Sequence, residues 1–234
     1  MGKTSLAMNM AGYAALYGGK SVAVFSLEMP REQIALRLLC SDAKVNMQRV
    51  RQGTLTGDDW MRLARSIGPM SGSRIFIDDT AGITPTQLRS RCRRLKMERG
   101  LDMIMVDYLQ LMSSGKQVES RQQEVSEFSR ALKLLAKELE LPVVALSQLN
   151  RNSETRNDRK PQISDLRESG SIEQDADVIF LVHRPDVYDK EDRPGEADII
   201  MAKHRNGPTA TFQLGFQGQY SRFSDMAQNM QQGV

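Results

Sequence analysis

Four short apolar runs, separated by stretches of helical period, constrain this chain more than anything else in it. They are "SVAVFSLE", "RIFIDD", "LDMIMVDYLQLM" and "LPVVALSQLN". Strands this uniformly apolar are buried on both faces of a sheet. Strands alternating with helices imply parallel pairing through right-handed crossovers. The expectation is an α/β chain with an open, mainly parallel sheet flanked by helices. Three later runs, "DADVIFLVHR", "ADIIMAKHRNG" and "TATFQLGFQGQYSRF", read as a further strand and a terminal β-hairpin. The helices between the strands are equally legible. Apolar positions recur from Thr4 to Leu16, and "GGK" at Gly18 to Lys20 ends that helix. "MPREQIALRLLCSDA" resumes the period, with Pro30 in the favoured first turn. Two short helices fit Asn46 to Gly68, a basic helix fits Thr84 to Gly100, and a long one runs to about Glu140. "RNSETRNDRKPQISDLRESGSIEQ" reads as a charged loop. With no internal repeat, second core or linker, one domain is expected over residues 1–223. The polar residues 224–234 are expected to form a disordered tail.

In such a sheet, ligands bind at the carboxyl ends of the strands, so the residues there matter most. The first run ends in Glu28, the third in Asp107, and the fourth in Ser147 and Gln148. Gly2, Lys3 and Thr4 open the first helix, on the same edge. They match the second half of the phosphate loop G-x-x-x-x-G-K-[ST], whose helix N-terminus offers free N–H groups to phosphate. "MIMVD" has the form of a Walker B strand, whose aspartate holds Mg²⁺ together with the threonine hydroxyl of the phosphate loop. Each residue also has a plainer reading. Thr4 serves equally as a helix N-cap, Glu28 as a helix-start charge, Asp107 as a strand terminator, and Gln148 as a surface amide. What those readings leave unexplained is why all of them fall on one sheet edge.

Two more stretches stand out. Arg167 and Gly170, flanked by serines in "DLRESGSIEQDAD", suit nucleic-acid phosphates, or a solvated loop. Lys203 and Arg205 in "KHRNGP" stand two apart and would share one side of a strand, placing paired cations at a hairpin tip. Such a pair could stabilise charge on a transferring phosphoryl group, or be an exposed basic turn. The arginines of the Thr84–Gly100 helix fall around most of its circumference and read as a solvated outer face.

Composition narrows the classes. The 234 residues carry a net charge of only +3, so any nucleic-acid contact must be local. The two cysteines, Cys40 and Cys92, lie in helices without metal-ligand spacing and read as packing residues in a reducing compartment. No apolar run approaches the roughly 18 residues of a membrane span, and the N-terminus lacks a signal-peptide plan. The expected location is cytoplasmic, away from membranes.

"FSLEMP", "VDYLQLM", "LAKELELPVVALSQLNR", "DLRESGSIEQDAD" and "KHRNGPTATF" together resemble the C-terminal motor domain of the DnaB family of bacterial replicative DNA helicases, from Met1 to about Phe223. The resemblance implies a RecA-like fold. It implies a homo-hexameric ring around single-stranded DNA, with ATP and Mg²⁺ between neighbours. Gly2, Lys3 and Thr4 would belong to Walker A, with Lys3 on the β- and γ-phosphates and Thr4 on Mg²⁺. Glu28 would orient the attacking water, Asp107 would be the Walker B aspartate, and Gln148 would sense the γ-phosphate. Arg205 would be the finger supplied to the neighbour's ATP, with Lys203 its companion. Arg167, Glu168 and Gly170 would follow the DNA backbone, without reading bases. A helicase loader and primase are the further partners implied for the full-length protein.

Some family features lie outside these residues: an N-terminal domain, a linker helix, the first half of the phosphate loop and the strand before it. The chain therefore reads as a fragment beginning inside that loop, with impaired ATP binding and turnover expected of it alone. A RecA-like recombination or repair ATPase shares the Walker groups, but "RESGSIEQDAD" and "KHRNGP" favour the helicase. A non-hydrolysing ring or loader-binding module is the third reading. Retention of Glu28, Asp107, Gln148 and Arg205 argues against it.

Overall fold

The computed structural model describes residues 2–115, 120–150, 156 and 159–226, and for 167–169 the backbone only. Strands β1 (Val22–Ser26), β2 (Ile75–Asp78), β3 (Met103–Asp107) and β4 (Val143–Ala145) form one parallel sheet in the order β2-β1-β3-β4. The register sets Ser26 opposite Asp107 and Phe25 opposite Asp78, so the carboxyl ends of β1, β2 and β3 form one edge.

Both faces of this sheet are covered, as the unbroken apolar runs require. Ala23, Phe25, Ile104 and Val106 point to one side and pack with α5 (Pro85–Arg99) and α6 (Arg121–Leu139) through Leu88, Cys92, Phe128, Leu132 and Leu135. Val22, Val24 and Met105 point to the other side. There they meet α1 (Lys3–Leu16) and α2 (Arg31–Ala43) through Ala7, Met8, Ala11, Ile34 and Leu38. The alternation follows from the two-residue period of a strand.

Helix starts are set by local chemistry. Thr84 caps α5, with its hydroxyl accepting from the Gln87 N–H at 3.3 Å and Gln87 accepting from the Thr84 N–H at 3.0 Å, a reciprocal capping box. Thr56 and Asp59 do the same for α4 (Gly57–Gly72), which follows the short α3 (Met47–Gln52). Pro30 is the N-cap of α2 and lies one position before the expected first turn. The fully covered thiols of Cys40 and Cys92 are pushed by burial to about 11 and about 12, which fits inert packing roles.

The C-terminal strands depart from a simple extension of this sheet. β5 (Val178–His183), β6 (Glu196–His204), β7 (Ala210–Gln217) and β8 (Arg222–Asp225) form a separate antiparallel sheet in sequential order. The expected hairpin is β6–β7, and "TATFQLGFQGQYSRF" is two strands. A tight turn at Gly218–Tyr220, with Ser221 at φ 51°, reverses the chain between them. Pairing continues through Asp225, while 227–234 of the expected tail lie outside the described residues. This sheet rests on α1: Leu6 packs with Ala197, Ile199, Phe216 and Phe223. Asn9 donates to the Ser221 carbonyl at 3.3 Å and accepts from the Phe223 N–H at 2.7 Å.

A second correction concerns the charged loop. Its latter half is helical, a 3₁₀ segment at Ile163–Ser169 running into α7 (Gly170–Asp175). Asp165 nucleates it by accepting from the Gln162 N–H at 2.8 Å and pairing bidentately with Arg156 at 2.8 and 2.6 Å. The basic helix α5 has the solvated outer face expected of it, with Arg89, Arg93, Arg94 and Arg99 exposed, and four of its cations also reach partners. Arg89 and Arg93 both pair with Glu138 of α6, Arg91 pairs with Asp78 at the end of β2, and Lys96 donates to the Leu139 carbonyl. These cations tie elements together from a face that stays largely in solvent. Among the described residues, no helix is long and apolar enough to cross a membrane.

Phe128 is fully buried at the centre of the α5–α6 layer. Phe128→Ala should destabilise the domain by about 3–5 kcal/mol, measured by urea unfolding. A loss below about 1 kcal/mol would show that α6 is not anchored through this ring.

Candidate nucleotide site

Helix α1 begins where β3 ends. Gly2 is its N-cap with φ 102°, a conformation that L side chains rarely adopt. A Cβ there would also stand 3.1 Å from the Phe223 ring. Thr4 is therefore not the N-cap and lies within the first turn, with its hydroxyl free to act elsewhere. It donates to Asp107 Oδ2 at 2.7 Å, across 103 residues of sequence. Asp107 is 1% exposed, and its Oδ1 is buried without a hydrogen-bond partner. A buried carboxylate oxygen left over in this way is costly unless something occupies it.

Lys3, half-buried on the same turn, places Nζ 4.1 Å from the centroid of the Tyr108 ring. Burial lowers its pKa, against the opposing pull of Asp107 and Glu28. Glu28 is exposed on the turn after β1, and that turn is held to β3 by the Leu27 N–H donating to the Asp107 carbonyl at 2.7 Å. Gln148 lies beyond β4, also exposed, with its N–H directed at Gln110 Oε1 at 3.4 Å. Gly2, Lys3, Thr4, Glu28, Asp107 and Gln148 thus all lie at one edge of the parallel sheet. Asp78 and Asp79 share that edge but are taken up by Arg91 and by Arg31.

Lys203 and Arg205 lie elsewhere. Both reach the Gln174 carbonyl, at 3.4 and 3.0 Å, so they share one side of the β6–β7 turn as their spacing predicts. Lys203 also donates to the Glu173 carbonyl, and Arg205 stands 3.5 Å from Asp177. The end of α7 supplies these carbonyls, and no described contact joins the two cations to Lys3, Thr4 or Asp107. Gly170 opens α7, exposed, with open space where a Cβ would stand. The side chains of Arg167 and Glu168 lie outside the described residues.

Three residues escape a reading of the sequence. Tyr108 faces Lys3. Gln110 bonds the residues after β4. Arg37 of α2 has a buried Nε without a hydrogen-bond partner, and burial and the nearby Arg51 lower its pKa against the pull of Asp107 and Glu28. A glutamine between two leucines in "YLQLM" is a usable signal for Gln110. Nothing local marks Tyr108 or Arg37.

Residues 1–225 match the model of the DnaB-like helicase C-terminal domain. The chain belongs to that family. It is 57% identical over 228 residues to the replicative DNA helicase DnaB of Leifsonia xyli subsp. xyli (strain CTCB07), covering 97% of this chain and 50% of that protein. It is 50% identical over 228 residues to the replicative DNA helicase DnaC of Bacillus subtilis (strain 168), with the same coverage. A solved DnaB-like replicative helicase, described with its interactions with primase, superposes with a TM-score of 0.92 at 39% identity, over 97% of this chain and 55% of that one. The chain thus spans half the length of these two curated relatives, and its fold is RecA-like.

The Thr4–Asp107 bond carries a direct test. Thr4→Val leaves both Asp107 oxygens without that donor and should cost about 1–3 kcal/mol in nucleotide-free urea unfolding. Thr4→Ser keeps the hydroxyl and should recover most of the loss. A loss for Thr4→Ser with none for Thr4→Val would assign the effect to methyl packing.

Proposed function

We propose that this chain is the motor domain of an ATP-driven replicative DNA helicase, which works as a ring of six around single-stranded DNA, translocates on it and unwinds duplex at the fork. The observation that carries the reading is the Thr4 hydroxyl on Asp107 with the second Asp107 oxygen buried and unpartnered. Membership of the family supports it, as do the names of the relatives. The partners proposed for the full-length protein are primase, with which the solved DnaB-like helicase interacts, and a loader. A cytoplasmic location goes with them.

The residues fit Mg²⁺. Thr4 Oγ1 and the Asp107 carboxylate are hard oxygen donors, and Asp107 Oδ1 is available. Among the described residues there is no cluster of three or more His, Cys, Asp or Glu side chains to form an all-protein cage. That suits an ion held by one or two protein oxygens with phosphates and water. Bound there, Mg²⁺ would neutralise charge on the β- and γ-phosphate oxygens.

The chain's own groups do the remainder. The N–H groups at the start of α1 and the Lys3 ammonium bind phosphate oxygens. Glu28, exposed on the turn after β1, accepts a proton from the attacking water and fixes its direction. Gln148 donates to the γ-phosphate and reports its presence. Arg205, with Lys203, serves the site of the adjacent subunit, which accords with their position on the α7 end away from Lys3. Arg167, Glu168 and Gly170 follow the DNA backbone, contacts that suit a motor indifferent to sequence.

Two experiments on the full-length protein test this. Glu28→Gln should keep nucleotide affinity and lose most turnover, lowering kcat with KM little changed, because a water-orienting group acts in the transition state. Normal hydrolysis by this variant would return Glu28 to a helix-start role. The second experiment mixes subunits. Lys3→Ala and Arg205→Ala rings should each be nearly inactive, since a trans cation contributes about 10³-fold or more. Exchanged into shared rings, they should regain activity, because an interface pairing an intact Lys3 with an intact Arg205 is complete. ATP turnover that never exceeds the weighted average of the two variants would place Arg205 in cis.

A further inference from the structure

Immediately after β3, residues Tyr108 to Met112 form a tight turn that touches both halves of the site. Its first residue, Tyr108, lays its ring against the Lys3 ammonium, 4.1 Å from Nζ to the ring centroid. Among the described residues, Lys3 has no ion pair, and this ring face is the contact its ammonium makes. Lysine carries four rotatable bonds, and a cation–π contact in a half-buried setting restricts them. Its third residue, Gln110, uses both ends of its amide on the segment after β4. Nε2 donates to Ser147 Oγ at 2.8 Å and to the Gln148 carbonyl at 3.3 Å, while Oε1 accepts from the Gln148 N–H at 3.4 Å.

The second pairing has a simple physical sense. The β3–β4 ladder ends with the Leu146 N–H on the Val106 carbonyl at 2.9 Å, and the chain of β3 then turns away. Leu109 returns one backbone bond, its N–H donating to the Leu146 carbonyl at 3.0 Å. Beyond that point the primary amide of Gln110 substitutes for a peptide group and continues the pairing to Gln148. The turn itself is held firmly. Leu109 and Met112 are each 2% exposed. The Gln110 carbonyl accepts from Arg121, which also pairs with Glu124 in the first turn of α6.

We propose that this turn positions the two ends of the nucleotide site together, with Tyr108 aligning Lys3 and Gln110 fixing the backbone that carries Gln148. The proposal rests on the functional reading above for the roles of Lys3 and Gln148. Tyr108 and Gln110 are positioning residues, acting through the groups that meet the nucleotide.

The two positions predict different kinetic signatures. In the full-length protein, Tyr108→Leu removes the ring face and should weaken ATP binding roughly 3- to 10-fold, with Tyr108→Phe restoring it. Gln110→Leu should leave ATP affinity unchanged and lower kcat, since it loosens only the γ-phosphate side. A readout independent of nucleotide accompanies these: the NMR signal of ¹³C-labelled lysine at position 3, assigned with Lys3→Arg. That signal should be ring-shifted in the parent and in Tyr108→Phe, and lose the shift in Tyr108→Leu. An unshifted Lys3 signal in the parent overturns the Tyr108 role. Equal effects of Tyr108→Leu and Gln110→Leu on affinity overturn the division of labour. If the parent binds no ATP, the functional reading falls by itself, and the Lys3 signal still decides whether Tyr108 holds the lysine.

Discussion

A single buried carboxylate organises this molecule. Asp107 sits at the end of a strand covered on both faces, 1% exposed, with one oxygen on the Thr4 hydroxyl and the other unpartnered. A charge so placed is expensive unless compensated. The surroundings bear the mark of that cost: the Lys3 ammonium and the Arg37 guanidinium are both desolvated, and both are drawn by Asp107 and Glu28. The fold holds two partly buried cations beside two carboxylates, and leaves one carboxylate oxygen open. Such a site is satisfied by a cation on the open oxygen and by anions against the two basic groups. The magnesium–phosphate pair proposed above has that dual character.

The sheet explains why these groups can converge from such distant positions. Parallel pairing with Ser26 opposite Asp107 puts the ends of β1 and β3 at one level, and the turn after β1 is tied to the Asp107 carbonyl itself. Helix α1 is fixed from outside by the antiparallel sheet, through Leu6, Asn9 and the Phe223 ring against Gly2. The second sheet thus packs against the first turns of α1, whose Thr4 reaches Asp107. Within it, the partly buried pair of Arg193 with Asp198, at 2.9 and 2.8 Å, links the β5–β6 connection to β6.

What is legible in the sequence is whatever short-range pattern controls. Uniform apolar runs mark the parallel strands, and capping residues such as Thr84 mark the helix starts. Polar residues at strand ends mark Glu28, Asp107 and Gln148, because a strand period and a sheet edge are enough to place them. What is not legible depends on long-range partners. The arginines of α5 read as solvated and are largely so, but their partners Glu138 and Asp78 come from other elements. The segment around Arg156 and Asp165 looks like a loop because its helical turn is held by an ion pair nine residues apart, and not by apolar period. Nothing in the last strands, taken one at a time, says that they leave the first sheet. The signal is in their burial: covered positions alternate in β5 at Ile179, Leu181 and His183, and that half-covered pattern belongs to an antiparallel sheet.

The position of Arg205 follows from the same division into two sheets. Its backbone N–H donates to the Asp177 carbonyl at 2.8 Å, its guanidinium reaches the Gln174 carbonyl, and Lys203 lies against Glu173 and Gln174. Carbonyls at a helix C-terminus carry partial negative charge and hold cations weakly, by about 0.3–1 kcal/mol at an exposed site. A doubly or triply charged phosphate is a far stronger attractor than these carbonyls. The two cations are therefore held at low cost at the end of α7, oriented together on one carbonyl. A cation meant for its own site would gain nothing from being held at the α7 end. In the role proposed above, at the site of an adjacent subunit, a cation braced in this way would have a defined direction before the neighbour's nucleotide is met.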